Sequence, residues 1–252
     1  MSRDSEIREV NVVLGATGGI GAALCRMLAA RGSRIFMAAR NPGRLSTLAS
    51  ELECDWASLD ATEPAQVEQL IKDAQAKHDK VTGVANCVGS LLLKPAHITS
   101  DDEWSATMAA NLGTAFSTVR SAARSMRRKG GSVVLISSAA ALTGIPGHEA
   151  ISAAKAGIVG LMRSAAASYA SSGLRFNAVS PGLTRTEMTR SVWENEIAER
   201  GSVAMHPLRR LGEPEDVASI IAWLLDPANS WVTGQVFGID GGLANIRSPV
   251  RK

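Results

Sequence analysis

Seven short apolar or β-branched runs recur along this chain: VNVVLG, RIFMAA, CDWASLD, VTGVANCVG, GSVVLISS, LRFNAVSPG and GQVFGID. Between them lie amphipathic stretches of helix length, at residues 19–31, 42–52, 63–78, 101–128, 149–171 and 214–225. Strands wetted on one face would alternate apolar and polar residues, whereas near-continuous apolar strands must be covered on both faces. Parallel strands acquire that cover from the helices that cross over between them, so the pattern predicts a doubly wound α/β fold with one parallel sheet. At 252 residues, 45% hydrophobic and 20% charged, the chain suits a single domain spanning 1–252. Residues 183–208 form an insertion placed to act as a substrate lid, and residues 246–252 read as a C-terminal tail.

Composition removes several function classes. The 27 basic and 24 acidic residues are interleaved and leave a net charge of only +3, so the basic stripe of a nucleic-acid binder is missing. The short RRK at Arg127–Lys129 reads as a solvated helix end. No stretch reaches the ~18 uncharged apolar residues needed to cross a bilayer, and the charged start MSRDSEIREV lacks the apolar core of a signal peptide. Cys25, Cys54 and Cys87 show no metal-ligand spacing and sit among apolar residues, which predicts no metal site, no disulfide framework and a space-filling role in a reducing, cytoplasmic setting.

In a sheet of this kind ligands bind beyond the carboxyl ends of the strands. The first strand ends in GATGGIG, where Gly15, Thr17, Gly19, Ile20 and Gly21 lead into a helix. Glycines let the backbone turn sharply and allow a pyrophosphate to approach the free amides of the helix N-terminus. The second strand ends in Ala39 and Arg40, where an NAD site would carry a carboxylate for the ribose hydroxyls. A guanidinium there pairs with a 2′-phosphate, so NADP(H) is the expected cofactor.

The order Gly15-x3-Gly19-x-Gly21, ANCVG on the fourth strand, ISS on the fifth, Lys155 in the next helix, SPG on the sixth, then LGEPEDVA and VTGQVFGIDGG resembles the short-chain dehydrogenase/reductase family over essentially the whole chain. The likeness is greatest to its carbonyl reductase and 3-oxoacyl reductase branch. It implies a Rossmann-type sheet, with Asp60 beside the adenine, Asn86 and Gly89 in the family's Asn-Asn-Ala-Gly element, and Pro181, Gly182, Thr184 and Thr186 in the turn that cradles the nicotinamide amide and a phosphate. It further implies that Asn111 holds a proton-relay water, Ser138 polarises a carbonyl and Lys155 grips the nicotinamide ribose.

One member of that set is missing. Four residues before Lys155 the family places a tyrosine that gives its proton to the developing alkoxide, and this chain has Ile151, which neither donates nor accepts. The only tyrosine, Tyr169, lies about 27 Å farther along the same helix. His148, just ahead of that helix, is the better-placed donor; His206 in the lid, Lys155 itself or an ordered water are the others.

Two readings follow. The first is an NADP(H)-dependent oxidoreductase acting on a small or medium apolar carbonyl or alcohol through an atypical proton donor. The alternative is a catalytically impaired cofactor-binding protein serving as a regulatory or structural subunit. The Ala-, Gly- and Ser-rich faces of 101–128 and 149–171 allow close helix approach, and the resemblance places them in a subunit contact, which predicts a homo-oligomer, a dimer or tetramer.

Overall fold

The computed structural model describes residues 9–246. The charged start at 1–8 and all of the expected tail beyond Ile246 lie outside the described residues. Strands β1 (Val10–Leu14), β2 (Arg34–Ala39), β3 (Asp55–Ser58), β4 (Gly83–Asn86), β5 (Gly131–Ile136), β6 (Leu174–Pro181) and β7 (Val236–Ile239) form one sheet in the order 3-2-1-4-5-6-7. Every neighbouring pair is parallel. The order reverses between β1 and β4, which opens the crevice at their carboxyl ends.

Burial follows the strand reading. All residues of β1, β4 and β6 are buried, whereas the edge strand β3 alternates and turns Trp56 outward. Helices α1 (Gly19–Ala30), α2 (Pro42–Leu52) and α9 (Pro214–Leu225) cover one face. There Leu24, Leu28, Leu45, Val217 and Ile221 join Val13, Met37 and Val134 in one apolar layer. On the other face α3 (Pro64–His78), α5 (Thr114–Met126) and α6 (Glu149–Tyr169) bring Leu70, Ile71, Met126, Ile158 and Met162 against Val12, Leu14, Val84 and Phe176. Local chemistry sets the helix starts: Pro occupies the first turn of α2, α3 and α9, where its missing amide costs nothing, and the Asn41 side chain accepts from Arg44 N at 3.0 Å.

Two expected helices differ. The stretch 101–128 is not one α-helix: α4 (Asp101–Met108) passes through a π-helical turn, Ala109–Gly113, into α5, which ends at Met126. A capping box from Ser100 and Glu103 fixes the start of α4, but no local propensity marks the wider turn. Helix α6 ends at Tyr169, after which Ala170–Ser172 tighten into a 3₁₀ turn closed by Gly173 at φ +67°. Tyr169 packs on Phe176 with ring centroids 5.8 Å apart, at the far end of α6 from Ile151.

The insertion at 183–208 is helical, with a 3₁₀ turn at Glu187–Thr189, α7 (Arg190–Trp193) and α8 (Glu196–Met205). Arg185 ties it down by pairing with Glu199, approaching Glu213 at 3.5 Å and stacking 5.7 Å from the Trp193 ring centre. Among the described residues no helix is long and apolar enough to cross a membrane, and no three His, Cys, Asp or Glu side chains gather as a metal site.

Candidate active site

The glycine turn is built for a close approach. Gly15 lies at φ +75°, where a side chain is strained, and a Cβ on it would come 2.8 Å from the Cys87 carbonyl carbon. A Cβ at Gly21 would sit 2.2 Å from Gly15 O, and one at Gly19 would sit 2.8 Å from Thr186 Cγ2. Gly18, the N-cap of α1, supplies no side-chain hydrogen bond to the first amides of the helix, leaving them open to an anion. Ile20 and Thr186 line a cavity of about 230 Å³ under the lid, while Thr17 and again Thr186 line a second of about 580 Å³ beside the turn. Arg40 is exposed at the end of β2, lines neither cavity, and forms no ion pair among the described residues. Its charge helps hold the Asp60 carboxyl below its ordinary range, though hydrogen bonds from Thr62 N and Oγ1 do more. Arg44, which sequence reasoning passed over, lines the larger cavity with Thr17. Its place in the first turn of α2, four residues after Arg40, was the available signal.

The smaller cavity gathers the expected chemistry. Ser138, His148, Ile151 and Lys155 all contribute to its wall, with Gly89, Pro181, Gly182 and Thr184 around them. Ser138, at the end of the β5 segment, accepts from Ala140 N at 3.1 Å, so its hydroxyl proton is free to point elsewhere. His148 caps the start of α6, with Nδ1 2.8 Å from Pro146 O. A carbonyl only accepts, so Nδ1 carries a proton and Nε2 is the atom left for a ligand. Ile151 is 3% exposed and belongs to the wall itself.

Lys155 is buried, and its Nζ donates to Ile136 O at 2.9 Å. The Ser137 hydroxyl donates to the Lys155 carbonyl at 2.9 Å, which fixes α6 against β5. Burial without a carboxylate partner pushes the ammonium down from 10.5 to about 8. Cys87, expected only to fill space, lines the same cavity, and burial pushes its thiol up to about 12, the Lys155 charge working against that rise. It is therefore a neutral wall residue at physiological pH.

The two groups act oppositely on stability. Between pH 8 and 10.5 the folded chain holds less of the lysine proton than the unfolded chain, so the burial penalty fades as pH rises through that window. From the ordinary thiol value of 9.0 upward, Cys87 draws the other way, because the folded chain keeps a proton that the unfolded chain loses. Lys155→Met removes the first effect and, by taking away the charge that opposes the Cys87 rise, strengthens the second. It is expected to be more stable than the parent at pH 7 by about 2 kcal/mol, after allowing for the unpaired Ile136 carbonyl, with the gap closing toward pH 10. Urea melts at pH 7 and pH 10 check this, and a destabilised variant at pH 7 would refute the unpaired burial.

Other expected residues lie behind the cavity. Asn111, in the π-helical turn, donates to Ser90 Oγ at 3.0 Å and Thr107 O at 2.9 Å, and accepts from Ser90 N. One amide proton is thus committed to the loop after β4 and the other to α4, and the relay-water role that the resemblance implies has no free amide donor. Asn86 likewise joins β4 to α5 through Thr118 Oγ1 at 3.1 Å and accepts from Val88 N. A Cβ on Gly89 would meet Asn111 Oδ1 at 2.9 Å and Lys155 Nζ at 3.4 Å, which places this glycine against the lysine head. His206 does line the cavity, but both of its ring nitrogens have backbone partners, so it has no uncommitted proton to give a substrate.

A parallel doubly wound sheet with this glycine cradle, a serine just beyond β5 and a lysine on α6 defines the dinucleotide-binding class of α/β proteins. Residues 15–244 match a family model described as Enoyl-(Acyl carrier protein) reductase. The 3-oxoacyl-[acyl-carrier-protein] reductase FabG of Salmonella typhimurium is 31% identical over 93% of this chain and 97% of its own. A short-chain type dehydrogenase/reductase from Mycobacterium ulcerans superposes with a TM-score of 0.91 at 32% identity, covering 96% of this chain and 91% of that one. A variant of actinorhodin polyketide ketoreductase solved with NADPH gives 0.88 at 28% identity, covering 95% and 98%. The chain belongs to the short-chain dehydrogenase/reductase family.

Proposed function

We propose that this chain is an NADP(H)-dependent oxidoreductase that interconverts a small or medium apolar carbonyl compound and its alcohol, with His148 replacing the usual tyrosine as proton donor. The observation that carries the reading is the convergence of Ser138, His148 and Lys155 on one cavity whose wall also carries Ile151 and a series of other apolar side chains. The glycine cradle, the open α1 amides and the Arg40 guanidinium, which forms no ion pair among the described residues, fit a dinucleotide with a 2′-phosphate, and a ketoreductase neighbour was solved with NADPH. Bound there, the cofactor supplies or accepts a hydride. Arg40 would hold the 2′-phosphate, Gly15–Gly21 the pyrophosphate, and Pro181–Thr186 with Lys155 the nicotinamide end.

The chain's own part is polar. The Ser138 hydroxyl hydrogen-bonds to the substrate oxygen and keeps its proton, and the Lys155 ammonium keeps the local potential positive as negative charge develops there. His148 is oriented through Nδ1, so in the reduction its imidazolium form gives the Nε2 proton to the developing alkoxide and is left as the neutral ring, and in the oxidation the neutral ring takes the alcohol proton at Nε2. Leu91, Ile145, Met188, Val192 and Leu243 give the pocket an apolar wall that favours an uncharged substrate. The relatives named above are reductases or dehydrogenases, which favours the enzyme over the impaired-subunit alternative. A homo-oligomer and a reducing, cytoplasmic setting belong to the same proposal; the three free thiols accord with that setting.

NADPH oxidation across a panel of free ketones, with cofactor binding measured in parallel, tests the activity. His148→Ala is expected to lower turnover at least 100-fold while leaving the dissociation constant of NADPH within about twofold. Turnover indifferent to His148 would move the donor role to Lys155 or a water.

A further inference from the structure

We infer that His206 is a positioning residue, a neutral imidazole that bolts the lid helix to the turn proposed to hold the nicotinamide end of the cofactor. The inference rests on the cofactor reading only for the consequence at that turn; the bolt itself is a property of the free chain.

His206 is the C-cap of α8 and is 2% exposed. Its Nδ1 lies 2.7 Å from Ser202 O, one helical turn back, and its Nε2 lies 3.2 Å from Leu183 N. A carbonyl oxygen can only accept and a backbone amide can only donate, so the partners fix the tautomer: proton on Nδ1, lone pair on Nε2. An imidazolium would set N–H against N–H, and an aliphatic side chain would leave two buried backbone groups without partners.

The approach depends on Gly182. A Cβ there would sit 2.5 Å from His206 Nε2 and 3.0 Å from the Cα of Asp240, so any larger residue would drive the ring off the amide. The turn is held elsewhere by Gly182 N to Ile239 O at 3.0 Å and by Gly212 N to Leu183 O at 2.9 Å. Those two bonds tie it to β7 and to the segment before α9. The imidazole adds the bond to the lid, whose Ser202 and Met205 line the cavity. The carboxylate nearest this corner, Asp240, spends its oxygens on Gly242 N and Ala244 N of its own turn. The lid position and the turn geometry are therefore set together, with the imidazole bonding Leu183 N beside the Arg185–Glu199 pair and making no use of its acid–base chemistry.

Amide hydrogen exchange at Leu183 in the cofactor-free chain reads the bolt directly, and titration with NADPH reads its consequence. His206→Ala is expected to speed Leu183 exchange at least tenfold and to weaken NADPH about tenfold. His206→Gln, whose amide oxygen can reach the Nε2 position, is expected to recover most of both losses. Unchanged Leu183 exchange in a folded His206→Ala chain overturns the inference, as does a Gln variant no better than Ala. If Ala fails to fold, the Gln variant alone decides, since it should match the parent in Leu183 protection. A parent chain that protects Leu183 but does not bind NADPH overturns the proposed function and leaves the bolt standing.

Discussion

Ile151→Tyr is expected to raise the reduction of an activated ketone by NADPH about 100-fold or more. The substitution restores a phenol four residues before Lys155 on α6, one helical turn away and on the same face, so the ammonium can lower its pKa. Ser138 stands across the same cavity, and a hydroxyl on the new ring would address the oxygen that Ser138 polarises. The ring is larger than the side chain it replaces, and overpacking of a buried position can cost about 1–3 kcal/mol, but one side of Ile151 faces open cavity into which the ring can extend. The assay therefore pairs turnover with a thermal melt and NADPH titration. A variant that folds and binds NADPH yet gains nothing would show that the pocket has diverged beyond its donor, and the impaired-subunit alternative would then take precedence. Parent turnover that is lost in His148→Ala and regained in the double variant with tyrosine would establish that the two donors address one oxygen.

Arg40→Ala is expected to erase most of a tenfold to hundredfold preference for NADPH over NADH. A charge-assisted contact to a phosphate is worth roughly 1.5–3 kcal/mol, and Arg40 has no competing ion pair to lose among the described residues. Asp60 is near enough to feel its charge, but that carboxylate is already engaged by Thr62, so the guanidinium can turn to a ligand without stranding it. Because the contact is exposed, the preference should shrink as salt rises. Equal dissociation constants for the two dinucleotides in the parent chain would refute the assignment. Arg44→Ala serves as the comparison, since Arg44 faces the cavity beside Thr17 while Arg40 does not.

How far the sequence reached depended on whether a residue's role was local or was set by neighbours distant in the chain. The seven strands and their order along the chain could be read because near-continuous apolar runs alternating with amphipathic stretches are local signals. Ser138, Ile151 and Lys155 could be placed together from the family resemblance, and His148 from its position just ahead of the same helix; all four line one cavity. Asn111 and His206 could not be interpreted in the same way. Each is a polar side chain whose work is decided by a partner 21 or 23 positions away, and only packing reveals that its hydrogen bonds are already committed. Cys87 was legible as a size match and not as cavity wall, because a thiol beside a buried ammonium carries no periodicity of its own.

The wide turn at Ala109–Gly113 has a mechanical meaning. A π turn carries one more residue than an α turn, so α5 emerges rotated by about 100° relative to the helix that α4 would have continued into. It acts as a phase slip, with the residues before it following one winding and those after it another. Asn111 sits on the slip itself, which is why its amide can reach Thr107 O and Ser90 Oγ together. Deleting one residue there would rewind the rod, swing that amide off the loop carrying Gly89, and loosen the ground on which the lysine head rests, without altering any group that lines the cavity.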